Sequence, residues 1–183
     1  FGVSDATIPR ARLQEAWWKK RHQEKVKIAK EGNCDLLLIG DSITHGWESA
    51  GKEVFGKYYA DRNTLNLGFS GDRTQHVLWR LLNGELPPQV KPKVAVIMIG
   101  TNNTGHVMQK ADETATGIKS IVALLRDRRP DMKILLLGIF PRGNNSNDPK
   151  RILNDKINSM VAKLADNQHI HFMNISREFL KED

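Results

Sequence analysis

Residues 94–99, Val-Ala-Val-Ile-Met-Ile, form an unbroken apolar run that stops at Gly100. A strand with one wet face alternates apolar and polar residues. An uninterrupted run is instead buried on both faces, which happens in parallel sheets covered by helices on either side. The same pattern recurs at Leu36-Leu37-Leu38-Ile39, which runs into Gly40-Asp41-Ser42, and at Ile134–Ile139, which runs into Phe140-Pro141. Two weaker runs, 64–67 and 170–175, bring the expected strands to five, the first of them over 35–39. Helical periodicity fills the intervals at 51–59, 73–83, 112–128 and 149–165, and precedes the first strand at 10–30. Strands alternating with helices of this length are βαβ units. The expected fold is therefore α/β, a three-layer sandwich around a five-stranded parallel sheet. It is read as one domain over 1–183, with residues 1–31 as an N-terminal extension and helix.

Charge and composition exclude more than they assign. The net charge of +7 raises the question of a polyanionic partner. Much of it lies in Arg10, Arg12, Lys19, Lys20, Arg21, Lys25, Lys27 and Lys30, but Glu15, Glu24 and Glu31 interrupt the series. No nucleic-acid motif accompanies it, so it reads as a solvated helix face and no nucleic-acid partner is expected. Trp17 and Trp18 in the same segment read as packing anchors, in a pattern with Leu13, Val26 and Ile28. No apolar run is long enough to span a bilayer. Cys34 is the single cysteine, no metal-ligand spacing occurs, and no glycine-rich phosphate loop is present. Neither a metal nor a cofactor is expected. The chain begins at Phe1 with no visible signal peptide, and its cellular address stays open, with a secreted or periplasmic one slightly favoured.

Three expected strands end in polar turns of complementary chemistry. Ser42 follows the first, Gly71 lies in the Gly68-Phe69-Ser70-Gly71-Asp72 loop after the second, and Asn102 follows the third in Gly100-Thr101-Asn102-Asn103. In open α/β sheets, ligands bind at this carboxyl end. A hydroxyl nucleophile, a bare backbone N–H and an amide donor are the set that acyl transfer through a tetrahedral oxyanion requires.

These blocks, in this order, resemble the first three sequence blocks of the SGNH (GDSL-like) hydrolases. Residues 71–86, Gly-Asp-Arg-Thr-Gln-His-Val-Leu-Trp-Arg-Leu-Leu-Asn-Gly-Glu-Leu, are similar to the branch that holds the catalytic subunits of platelet-activating-factor acetylhydrolase, as are residues 137–143. The resemblance covers about residues 33–175. It implies a flavodoxin-like sheet and a serine esterase in which Ser42 attacks the ester carbonyl. The oxyanion would be held by the N–H groups of Ser42 and Gly71 and by the Asn102 amide. The turn is not the Gly-x-Ser-x-Gly elbow of α/β-hydrolases, since Thr44 stands where the second glycine would be.

A fifth block of that family, Asp-x-x-His, supplies the base and the acid that orients it. Nothing of this kind occurs before Asp183, so the sequence reads as a shortened form with little activity of its own. Loss of the closing helix would uncover an apolar strip over the first and fifth strands and favour a homo-oligomer. His45 reads as a rim residue and His76 as a packing residue, while His22, His106, His169 and His171 carry no motif. No base is assigned. Short connecting loops favour a short acyl group, acetyl above all, on a small-molecule lipid or carbohydrate ester. Asp41, Trp47, Phe69 and Asn103 are the substrate-binding candidates, with core packing the competing role for Trp47 and Phe69. The alternative function is an SGNH scaffold that holds acyl or sugar ligands without turnover.

Overall fold

A parallel sheet with every strand hydrogen-bonded in register organises the computed structural model, which describes residues 4–181. The strands are β1 (Leu36–Gly40), β2 (Thr64–Gly68), β3 (Val94–Met98), β4 (Lys133–Leu137) and β5 (Ile170–Met173), in the order β2-β1-β3-β4-β5. The flanking helices are α1 (Ala16–Glu31), α2 (Ser42–His45), α3 (Lys52–Tyr59), α4 (Thr74–Arg80), α5 (Thr101–Val107), α6 (Ala111–Arg128) and α7 (Pro149–Val161). The strand order reverses between β1 and β3, which is the switch point where doubly wound sheets open a crevice. Gly40 pairs with Gly68 on one side and Met98 on the other, so the chain leaves β1, β2 and β3 at one level.

The apolar runs do what their pattern demands. Leu37, Ile39, Leu67, Ile97 and Ile134 are fully buried, and the sheet packs against Val77 and Leu81 near α4 and Ile118, Ile121 and Leu125 of α6. The expected bare strip is absent from β1, which lies inside the sheet between two hydrogen-bonded neighbours. At the edge strand β5, Met173 is exposed and Ile170 and Phe172 are half-buried. Among the described residues no helix is long and apolar enough to cross a membrane.

The first helix departs most from its sequence pattern. It starts at Ala16, not residue 10, and residues 5–7 form a short 3₁₀ turn. Leu13, Trp17 and Ile28 are exposed, and the inward face is Trp18, His22, Lys25 and Ala29. Trp18 is the anchor it was expected to be, whereas Trp17 lies under the Arg12 guanidinium on the surface. The inward face is polar because it meets charge. His22 Nδ1 lies 2.9 Å from Glu85 Oε1, and Lys25 pairs with Glu48. The basic segment is thus only partly a solvated face.

Candidate active site

Ser42 owes its position to the two residues before it. A Cβ on Gly40 would lie 2.7 Å from the Met98 carbonyl, so only glycine lets the chain turn here against β3. Asp41 leaves the strand conformation, and its Oδ1 accepts the Ile43 N–H at 3.0 Å, capping α2. Ser42 opens that helix with its side chain exposed, while Asp41 is 1% exposed. Burial, with the Asp72 charge acting in the same direction, pushes the Asp41 carboxyl up to about 6. Asp41 therefore serves as a buried cap and not as the substrate contact expected of it.

Gly71 adopts φ +80°, a left-handed conformation that a side chain would strain. The following residue ties the loop down. Asp72 is fully buried, and its carboxylate accepts Arg12 Nη1 at 2.7 Å, Trp18 Nε1 at 2.8 Å and Arg80 Nε at 2.8 Å. Arg80, itself fully buried, also pairs with Glu85 and donates Nη2 to the Leu67 carbonyl at 3.1 Å.

Hydrogen bonds link the three turns. Asn102 Nδ2 donates to the Asp72 carbonyl at 2.9 Å, which fixes the amide and leaves its second N–H for another acceptor. The Ser70 N–H donates to His45 Nδ1 at 3.2 Å, and Ser70 Oγ lies 3.0 Å from the same nitrogen, so the end of α2 is fastened to the β2 loop. Because Nδ1 accepts from a backbone N–H, the ring proton of neutral His45 resides on Nε2. Gly68 must be bare for this approach, since a Cβ there would run into the backbone nitrogen of His45.

The remaining substrate candidates have other duties. Phe69 is fully buried, with the Arg80 guanidinium 3.9 Å and the Arg21 guanidinium 5.0 Å from its ring centroid. It is a packing residue beneath the loop. Asn103 is also fully buried, accepting the Thr74 N–H at 3.1 Å and donating to Thr74 Oγ1 at 3.0 Å and Gln109 Oε1 at 2.7 Å. With both ends of its amide committed, it staples α4 to the α5 segment and is withdrawn from substrate. Trp47 packs on Phe55 and Tyr59 and lines a cavity of about 150 Å³ with Lys25, Ile28 and Leu65, near the edge strand β2.

The bonds that the histidines make run elsewhere than to Ser42. His45 is held by Ser70 and stacks on Trp17, and burial lowers its pKa. His76 Nδ1 accepts the Arg73 N–H at 2.9 Å, and burial pushes its pKa down to about 4. His22 is engaged by Glu85 and the Asn83 carbonyl. His171 sits on β5 opposite Leu135, with β3 and β4 between it and β1. The supporting charges Arg12, Asp72, Arg80 and Glu85 escaped the sequence reading. Their one signal was a pair of charges, Arg80 and Glu85, inside a mostly apolar pattern at 77–86.

Comparison with known proteins agrees with this architecture. Residues 38–183 match the GDSL-like lipase/acylhydrolase family. Platelet-activating factor acetylhydrolase IB subunit alpha1 of Bos taurus is 37% identical over 167 residues, which cover 91% of this chain and 69% of that protein. The alpha2 subunit of Rattus norvegicus is 37% identical over 91% of this chain and 70% of its own length. Among solved structures, the acetylxylan esterase Axe2 of Geobacillus stearothermophilus superposes with a TM-score of 0.62 at 22% identity, covering 79% of this chain and 77% of that one. At that identity the likeness concerns the fold.

Proposed function

The chain belongs to the GDSL-like lipase/acylhydrolase family, and on that premise we propose that it is a serine esterase that removes short acyl groups, acetyl first, from a carbohydrate or lipid ester. In this reading Ser42 Oγ bonds to the ester carbonyl carbon, and the proton it gives up goes to the alkoxide that departs when the ester C–O bond breaks. The resulting oxyanion is held by the N–H groups of Ser42 and Gly71 and by the free N–H of Asn102. The alcohol departs with a proton, and water then releases the acid from the acyl-serine.

The observation that carries this reading is an exposed serine on a capped turn, fastened through His45–Ser70 and Asp72–Asn102 to the two loops that would supply the other donors. Donors held by such bonds cost no reorganisation when charge develops. Acetyl is the acyl group named in both the acetylhydrolase relatives and the acetylxylan esterase neighbour. A ligand-holding scaffold is the second reading, favoured by the histidine bonds that run away from Ser42. A serine-directed fluorophosphonate followed by intact-mass measurement decides between them. Stoichiometric labelling of the parent and none of Ser42→Ala is expected. Labelling that persists in Ser42→Ala, or a parent that stays unlabelled, refutes the esterase.

A further inference from the structure

The turn that carries Gly71 has one joint that its own closing bond does not set. The Asp72 N–H donates to the Phe69 carbonyl at 3.1 Å, closing a four-residue turn in which Gly71 stands third at φ +80°. That is the type II arrangement. A type I turn keeps the same closing bond but has its central peptide, here Ser70–Gly71, rotated by roughly 180° and its third residue at about −90° in φ. Rotating one peptide plane therefore exchanges the two forms while both ends stay closed. In a trans peptide the N–H points opposite to the C=O. The rotation would reverse the Gly71 N–H, which among the described residues has no hydrogen-bond partner.

The planes on either side of this peptide are tied to neighbouring turns. The Ser70 N–H goes to His45 Nδ1 at 3.2 Å, and the Asp72 carbonyl takes the Asn102 amide at 2.9 Å. The central plane is held by Arg12, 58 residues earlier in the chain, whose Nη1 donates to the Ser70 carbonyl at 2.8 Å. The same nitrogen donates to Asp72 Oδ1 at 2.7 Å, while Nε and Nη2 go to the two oxygens of Glu15 at 2.8 and 2.7 Å. The guanidinium thus has its direction fixed before it meets the loop. It lies close against Gly71, where a Cβ would come within 3.2 Å of Nη2.

We propose that Arg12 is a positioning residue, whose hold on the Ser70 carbonyl keeps the Ser70–Gly71 peptide from flipping and so fixes the direction in which the Gly71 N–H is presented. The effect on turnover rests on the esterase reading, whereas the hold on the peptide does not. Glycine permits φ +80° but does not enforce it, since it takes either sign of φ about as readily. The choice between the two turns falls to what the central carbonyl meets. A hydrogen bond from a charged donor shifts such a balance by about tenfold to a hundredfold.

Residual dipolar couplings of the Gly71 N–H, together with kcat and KM on p-nitrophenyl acetate, test this in the parent, Arg12→Met and Arg12→Lys. Arg12→Met should move the Gly71 coupling off the parent value and lower kcat about tenfold, with KM little changed. Arg12→Lys should recover both, because a single nitrogen already serves the Ser70 and Asp72 oxygens. A folded Arg12→Met with the parent coupling overturns the proposal, even where kcat falls, and so does Arg12→Lys that is no better than Arg12→Met. If Arg12→Met does not fold, Glu15→Ala decides, since it leaves Asp72 paired and releases only the far side of the guanidinium. A severalfold fall in kcat with a shifted coupling then supports the proposal, and parent values overturn it. A reoriented Gly71 N–H with unchanged kcat overturns the role in turnover. A parent that neither turns over nor labels with the phosphonate removes the esterase alone, and the couplings still decide whether Arg12 holds the peptide.

Discussion

Replacing Arg80 by methionine tests the claim that buried charge holds up the Gly71 loop. Methionine preserves most of the side chain's length and its contact with Phe69, but removes the donors to Asp72 Oδ2, Glu85 and the Leu67 carbonyl. The two carboxylates are not left equally exposed by the loss. Asp72 keeps Arg12 and Trp18, whereas among the described side chains Glu85 keeps only His22. Removing one partner from a fully buried pair costs about 3–5 kcal/mol. That is a large share of the roughly 5–15 kcal/mol by which a domain is stable. A chain of this size should melt lower by about 6–20 °C. Urea unfolding followed by tryptophan fluorescence, with Trp18 bonded directly to Asp72, reads the loss. The asymmetry supplies an internal control. Adding Glu85→Gln to Arg80→Met should recover more stability than adding Asp72→Asn, because neutralising Glu85 removes the less compensated charge. An Arg80→Met protein within about 1 kcal/mol of the parent, or rescue in the opposite order, would refute this account.

Asn102→Ala should lower kcat on an acetyl ester on the order of 10²–10³ with little change in KM, because the donor acts on developing charge; an unchanged kcat removes Asn102 from the oxyanion site. Asp41→Asn should be more stable than the parent at pH 7 by on the order of 2–3 kcal/mol, with no gain at pH 3.5. The unfolded carboxyl ionises near its ordinary 3.8 while the folded one stays protonated to about 6, so the penalty grows with pH across that window and is complete above it. His76, whose pKa falls to about 4, gives the opposite slope over nearly the same range, and it cancels when variant and parent are compared. Gly68→Ala should fail to give soluble protein, since its Cβ meets the fixed backbone of α2 and not a side chain that can move; a folded, cooperative Gly68→Ala protein contradicts the close approach.

Apolar pattern made the sheet legible. The inner strands β1 and β3 are runs such as Val94–Met98 whose burial follows from their own residues, and a polar turn falls where each run stops. The three turns that the hydrogen bonds tie together are those that the sequence pointed to, at Ser42, Gly71 and Asn102. Strand ends shifted by a residue or two, because pairing in the sheet and not hydropathy sets where a strand stops. The face of α1 could not be read in this way. Its exposed apolar residues and inward His22 and Lys25 make sense only beside Glu85 and Glu48, which lie 63 and 23 residues further along the chain. Periodicity records one helix, whereas complementarity of charge belongs to two segments at once.

The same reasoning explains why some residues adjacent to the proposed site do not face substrate. Phe69 and Asn103 sit within a few residues of the proposed oxyanion donors, yet both are fully buried and occupied by Arg80 and Thr74. A loop that must present one N–H at a fixed point needs its remaining groups committed below it. Here that support is a charged layer of Arg12, Asp72, Arg80 and Glu85 roofed by an aromatic ring. Ion pairs of this kind are weak sources of net stability compared with an apolar core of equal volume. Their value lies in direction, because a guanidinium fork fixes carboxylate angles that packing alone leaves free. An apolar replacement of the whole layer should therefore leave the fold standing while the Asn102 amide loses its place against the Asp72 carbonyl, so stability and ester turnover would part company.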